Sequence, residues 1–253
     1  MRRPLIAGNW KMNGLRADAL RWAKAAVGAA EEGGNEVALF PPSPWLTEVG
    51  AILGAPDGLV GLGGQACHTE PFGAFTGWVS APMLADAGCR YVLCGHSERR
   101  ILGGETDATV ADALVQALEA SLIPILCVGE TFEQRRAHQA RNVVLRMVDA
   151  GLDALPGPES PLLIAYEPVW AIGTGLTASP REASEAHGWI RAQVGERDAD
   201  RARSLRILYG GSVKPGNIGG LLAASDVDGA LVGGAALDPD AFAALVRATP
   251  TDA

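Results

Sequence analysis

Short runs rich in Val, Ile and Leu recur along the chain, beginning near Leu5, Val37, Leu59, Tyr91, Ile123, Leu162, Ile207 and Gly229. The runs are continuously apolar and do not alternate, which is how strands buried on both faces read. Their starts lie 32, 22, 32, 32, 39, 45 and 22 residues apart, and each gap can hold a helix and two loops between successive parallel strands. The gaps carry a helical period: Leu20, Ala23 and Val27 share a face, as do Val110, Leu114, Ala117 and Leu118, and Val144, Met147, Val148 and Leu152. Two helix starts are explicit. Ser179-Pro180-Arg181-Glu182 supplies a capping serine, a proline at the first helical position and a glutamate that closes a capping box. Asp238-Pro239 opens the last helix the same way.

Eight strand–helix units in 253 residues predict an α/β fold, a (β/α)8 barrel of eight parallel strands forming one domain over residues 1–253. An open doubly wound sheet is the competing architecture. Gly61-Leu62-Gly63-Gly64 resembles a dinucleotide turn, but it lacks the spaced third glycine and the immediate helix.

Charge and cysteine usage narrow the picture. The hydrophobic fraction of 48% and charged fraction of 20% are those of a folded globule. Net charge is 21 − 29 = −8, which disfavours nucleic acid and anionic membrane as partners. An anionic substrate would have to be attracted locally, by a lysine and by backbone amides at helix N-termini. Cys67, Cys89, Cys94 and Cys127 form no C-x-x-C pair, and Cys94 and Cys127 sit in apolar runs as small hydrophobes would. Reduced cysteines fit a cytoplasmic location. Met1-Arg2-Arg3 faintly suggests a signal peptide, but Leu5-Ile6-Ala7 is too short an apolar core before Asn9 and Lys11. No apolar run approaches the roughly 18 residues of a membrane span.

In such a barrel the active site is built where strands end. Strand 1 ends in Asn9 and Lys11, strand 4 in His96 and Glu98, and strand 6 in Glu167, while strands 7 and 8 end in Gly210-Gly211-Ser212 and Gly233-Gly234. Glu167 reads equally as a base or as an arginine's partner. A carboxylate in a partly dry pocket has its pKa raised and becomes a competent base. His96 stands at a loop-to-helix junction, where backbone amides favour a neutral imidazole able to donate a proton. His138 and His187 fall on predicted helices and His68 in a loop, and no histidine pair has metal-ligand spacing, so neither metal nor cofactor is expected. Ser97 adjoins His96 along the chain, where side chains rarely face one another, which argues against a hydrolase triad. The glycine pairs after strands 7 and 8 read as tight turns or, taken together, as a phosphate cradle.

The blocks Ala7-Gly8-Asn9-Trp10-Lys11-Met12-Asn13, Cys94-Gly95-His96-Ser97-Glu98-Arg99-Arg100, Ala165 through Gly175, Tyr209-Gly210-Gly211-Ser212 and Leu231-Val232-Gly233-Gly234 resemble those of triosephosphate isomerases. The resemblance implies a proton shuttle between dihydroxyacetone phosphate and glyceraldehyde 3-phosphate, with Glu167 as base and neutral His96 as the group that protonates enediolate oxygens. It further implies that Lys11 stabilises negative charge, Asn9 positions substrate oxygens and Glu98 orients its neighbours. Amides of Gly173, Ser212, Gly233 and Gly234 would hold the phosphate, and Pro168 through Ala178 would form a lid. A homodimer is implied, joined through loop 3 at Gly73, Ala74, Phe75, Thr76, Gly77 and Trp78. The chain departs from the family pattern at Ala66, Trp78 and Ala236. At Trp78 the family's usual glutamate pairs across the interface with an arginine corresponding to Arg99; the tryptophan instead offers apolar area and an aromatic face for a guanidinium. Isomerisation of a related four-carbon sugar phosphate, or phosphate binding without catalysis, are the alternative readings.

Overall fold

A computed structural model of the chain describes residues 2–54, 58–172 and 178–250. Eight parallel strands close into a barrel in sequence order: β1 Leu5–Asn9, β2 Glu36–Phe40, β3 Val60–Gly64, β4 Tyr91–Cys94, β5 Ile123–Val128, β6 Leu163–Tyr166, β7 Ile207–Gly210 and β8 Gly229–Val232. Each begins within one residue of its predicted start. β8 pairs with β1 from Leu5↔Gly229 to Gly8↔Val232, which closes the ring and leaves no sheet edge to protect.

Alternate residues of each strand serve two cores. Leu5, Ala7, Phe40, Tyr91, Leu93, Cys127 and Leu208 point inward with their neighbours and fill the barrel, so it is a packed core and not a pore. Ile6, Leu39, Val92, Leu126, Ile164 and Tyr209 point outward and pack beneath the helices. The glycines of β3 belong to this packing. A Cβ at Gly63 would overlap the Phe40 ring, and one at Gly61 would lie 2.7 Å from the Tyr91 ring. These glycines make room for aromatic rings, and the dinucleotide reading fails.

The capping signals at Ser179 and Asp238 are borne out. Ser179 Oγ accepts the Glu182 N–H as helix Pro180–Arg197 starts, and the Asp238 carboxylate accepts the amides of Asp240 and Ala241 at helix Pro239–Arg247. Two expectations need correction. The buried stripe of helix Arg16–Gly33 is Ala19, Trp22, Ala23, Ala26, Ala29 and Ala30, with Leu20 and Val27 on its flanks. Small alanines let the helix seat closely against helix Pro239–Arg247, and closeness there outweighs side-chain size. His138 is not helical. It occupies the turn between helices Phe132–Arg136 and Ala140–Asp153 with φ +56°, a left-handed conformation that ends the first helix.

His187, which the sequence left unremarkable, is fully buried in helix Pro180–Arg197 with Nδ1 2.9 Å from the Asp226 carbonyl oxygen. Burial pushes its pKa down from 6.5 to about 4. The unfolded chain therefore takes up this proton more readily, and stability is lost as pH falls through the window from 6.5 towards 4. The loss reaches about 3 kcal/mol at the acid end. Urea unfolding at a series of pH values should show that dependence reduced in His187→Gln relative to wild type. Parallel losses in the two proteins would contradict the assignment.

Candidate active site

The C-terminal strand ends surround a cleft of about 700 Å³ lined by Asn9, Lys11, His96, Glu167, Gly211, Ser212, Gly233 and Gly234. On the β1 side, Asn9 is buried and its Oδ1 accepts the Lys11 N–H at 2.9 Å. That bond holds Lys11 at φ +52°, a left-handed conformation rare outside glycine and frequent at functional sites. Gln65 braces the same turn, its side-chain amide donating to the carbonyls of Lys11 at 2.8 Å and Phe40 at 2.9 Å. Lys11 Nζ reaches Glu98 Oε1 at 2.6 Å, so Glu98 aims the lysine across the mouth of the barrel. Gly233 lies beside the lysine, and a Cβ there would stand 3.4 Å from Lys11 Cε, in van der Waals contact.

His96 follows Gly95, which turns the chain at φ +73°, and caps helix Ser97–Gly103. Its Nδ1 accepts the Glu98 N–H at 3.2 Å, which makes Nδ1 the unprotonated nitrogen and leaves the proton on Nε2. Nε2 faces Glu167 Oε1 at 3.0 Å. The backbone thus favours the tautomer with its proton on Nε2. Burial pulls the His96 pKa down and the Glu167 carboxylate pulls it up, and in this arrangement Glu167 prevails.

Glu167 is buried, with its second oxygen accepting the Ser97 N–H at 2.9 Å. The expectation of a raised pKa is overturned. Burial does push the carboxyl up, but His96, the Ser97 amide and Lys11 together hold it below the ordinary carboxylate value. Both carboxylate oxygens are engaged, a stored arrangement that Glu167 must leave to touch a ligand in the cleft. Glycines frame it on two sides. A Cβ at Gly210 would stand 2.9 Å from Glu167 Cγ, and one at Gly129 would overlap the Glu167 carbonyl.

The sequence reading missed Glu130, a carboxylate with no exposed surface at the end of β5. It accepts hydrogen bonds from Tyr166 Oη at 3.2 Å, Trp170 Nε1 at 2.9 Å and Arg135 Nη1 at 3.1 Å, and its carbonyl accepts the Val169 N–H at 3.1 Å. It thereby anchors the chain on both sides of Glu167. Its one sequence signal was its place as the polar residue closing an apolar run. Opposite, Ser212 Oγ donates to the Ala171 carbonyl at 3.3 Å. Gly173, and with it residues 173–177 of the expected lid, lies outside the described residues.

These distances bring a carboxylate, a neutral imidazole and an ammonium group to one cleft. The triosephosphate isomerase family model matches residues 4–249 of the chain. The chain belongs to the triosephosphate isomerase family. It is 51% identical to the triosephosphate isomerase of Halorhodospira halophila over 250 residues and 49% identical to that of Alcanivorax borkumensis over 248 residues, with 98% of each chain covered in both cases. The family triosephosphate isomerase of Moorella thermoacetica is 49% identical over 252 residues, covering 98% of this chain and 99% of the relative.

Trp78 offers its aromatic face to a guanidinium of its own chain. The Arg99 guanidinium lies 4.8 Å over the Trp78 ring within the same chain, while Arg99 Nε bonds Glu105 at 2.7 Å. His68 packs 4.0 Å from the Phe75 ring and 5.1 Å from Trp78. The departure from the family pattern at residue 78 therefore has a partner inside the subunit, and the loop tip is shaped before it meets anything else. All four cysteines are unpaired and buried, as small hydrophobes are. Among the described residues no group of three His, Cys, Asp or Glu side chains could hold a metal ion, and no helix is long and apolar enough to cross a membrane.

Proposed function

We propose that the chain interconverts dihydroxyacetone phosphate and D-glyceraldehyde 3-phosphate. The observation that carries this reading is the His96–Glu167 pair at 3.0 Å in a cleft shared with Lys11 and closed by the glycine turns after β7 and β8. Glu167 releases His96 and the Ser97 amide and takes a proton from the hydroxymethyl carbon of the ketose. The electrons left behind form the enediolate. Lys11 and the Nε2–H of His96 face the oxygen on which negative charge collects, beside the buried side chains of His96 and Glu167. His96 protonates one oxygen and recovers a proton from the other, and Glu167 returns its proton to the neighbouring carbon, so no atom is gained or lost. With Glu167 turned away from His96, the main cause that raised the histidine is gone. Burial and the Glu98 amide then keep the ring neutral, which is the state able to donate from Nε2.

Asn9 fixes the lysine turn and presents its amide towards the cleft, and Glu98 orients Lys11. Backbone amides of Ser212, Gly233 and Gly234, joined by Gly173, are assigned to the phosphate, since bare backbone lets N–H groups approach an anion. The reaction asks for no metal or cofactor, because base, acid and electrostatic stabiliser are all side chains. The unpaired thiols suit a reducing compartment, which supports the cytoplasm. A coupled assay with glyceraldehyde 3-phosphate tests the activity. Turnover supports the reading, and none from folded protein overturns it.

We infer a homodimer joined through loop 3, residues 73–78. Among the described residues, eight of the nine large exposed hydrophobic side chains, Phe132 being the ninth, follow β1, β3 and β4, among them Met12, Phe72, Phe75, Trp78 and Leu102. Apolar surface so concentrated is what an interface presents. Trp78 is half exposed and braced by Arg99, so it offers area and a set orientation. Sedimentation should give a dimer at micromolar concentration that is only mildly salt-sensitive, because exposed ion pairs contribute little. Trp78→Ala should shift it towards a less active monomer. A fully active wild-type monomer would refute the dimer, and an unchanged Trp78→Ala dimer would refute the role of Trp78.

A further inference from the structure

At the opposite end of the barrel from the catalytic cleft lies a second cleft, of about 760 Å³, walled by the N-terminal ends of the strands. Arg2, Arg3, Arg90, Arg203 and Arg206 face it, against Glu36, Asp226 and Asp228. Five cations to three anions is a local surplus in a chain whose net charge is −8.

The three carboxylates are already matched. Glu36 takes Arg206 Nη1 at 2.8 Å and the Tyr91 hydroxyl at 2.7 Å. Asp228 takes Arg2 Nε at 2.6 Å, Arg191 Nη2 at 2.6 Å and the Ile207 N–H at 2.9 Å. Asp226 takes Arg191 Nε at 2.5 Å and stands 3.8 Å from Arg2 Nη2. Arg2, Arg191 and Arg206 therefore neutralise the acidic side chains. Three guanidinium groups remain. Arg3 donates to the Gly34 carbonyl, a neutral acceptor. Arg90 lies 5.2 Å over the Tyr91 ring and within electrostatic reach of Glu36, without a direct ion pair among the described residues. Arg203 meets only Asp200, a neighbour on the exposed helix Ala199–Ser204 that does not line the cleft.

Planar guanidinium groups recognise phosphate by paired N–H bonds. Arg3 and Arg90, which bond no carboxylate directly, and Arg203, whose only carboxylate is the exposed Asp200, come from three separate elements around a cleft the size of the catalytic one, which suits an anion with more than one charged group. We propose that this floor cleft binds a small polyanion bearing two or more linked phosphate groups, with Arg3, Arg90 and Arg203 as its ligands. The site shares no lining residue with the catalytic cleft and does not depend on the isomerase assignment. Its occupant would tie the starts of β1 and β4 to the connection before β7, and would stabilise the barrel by mass action.

Titration calorimetry of the full chain with pyrophosphate, ATP and inorganic phosphate tests this. Pyrophosphate should bind more tightly than inorganic phosphate. The Arg90→Ala/Arg203→Ala double variant should bind pyrophosphate about tenfold more weakly or worse. Lys11→Met, which removes one charge from the catalytic cleft, should leave pyrophosphate affinity within about twofold, placing the site on the floor. Arg203→Glu, a single change at an exposed position, should weaken binding at least as far as loss of one guanidinium does, and it keeps the test open should the double variant not fold. ATP binding more tightly than pyrophosphate would identify a nucleotide as the source of the phosphates, and equal binding would identify free oligophosphate. Pyrophosphate affinity unchanged in the arginine variants, or lost in Lys11→Met, would overturn the proposal.

Discussion

Purified Glu167→Ala should fold and lose turnover by about 10²-fold to 10⁴-fold, the contribution of a positioned general base. The loss should appear in kcat more than in KM, because the carboxylate acts on a carbon-bound proton and contributes little to holding the phosphate. Glu167→Asp is the sharper probe. It keeps the charge but withdraws it by one methylene, roughly 1 Å, which can cost about 10²-fold when reacting atoms must nearly touch. Gly129 and Gly210 pack too closely on the residue for the backbone to advance and make up the distance. Near-wild-type turnover in Glu167→Ala would exclude this residue as the base.

Lys11→Met should be nearly as damaging. The side chain keeps its bulk, so the left-handed turn set by Asn9 and Gln65 should survive. What goes is the ammonium group that Glu98 aims into the cleft, and loss of a single preorganised electrostatic donor costs about 10²-fold to 10³-fold in kcat. KM should rise as well, because the same charge attracts the phosphorylated substrate. Glu98, now without the partner it holds at 2.6 Å, becomes an uncompensated anion beside the site. Glu98→Gln in the Lys11→Met background should therefore restore part of the loss, and steady-state kinetics on the four proteins of the cycle measures how much. No recovery would mean that Glu98 acts on the site by some route other than Lys11.

The barrel was legible because apolar runs and their spacing are local properties of the chain. Each strand start was set by where a continuous Val, Ile and Leu run begins, and each cap at Ser179 and Asp238 by residues within a single turn. The first helix was misread for a physical reason. Side-chain size pointed to Leu20 and Val27, but a close helix–helix contact selects alanine, and alanine carries little hydrophobic signal in a sequence. Asn9, Lys11, His96, Glu98 and Glu167 were legible as polar residues closing apolar runs. Glu130 and Gln65 perform their work through partners that only the fold brings near, Tyr166 and Trp170 for one and the carbonyls of Lys11 and Phe40 for the other. The direction of the Glu167 pKa had the same cause. Burial was foreseeable from the sequence, whereas the His96 nitrogen and the Ser97 amide that outweigh it are spatial neighbours.

The central claim is that Glu167 moves a proton between adjacent carbons of a triose phosphate. Incubating wild-type protein with D-glyceraldehyde 3-phosphate in deuterium oxide and following products by proton NMR tests it directly. A carboxylic acid formed at Glu167 can exchange with solvent before it returns its proton, so dihydroxyacetone phosphate should appear with deuterium on its hydroxymethyl carbon, and Glu167→Ala should form neither the ketose nor the label at a comparable rate. Dihydroxyacetone phosphate formed wholly without carbon-bound deuterium would point to a hydride shift. No ketose at all from folded wild-type protein would contradict the account outright.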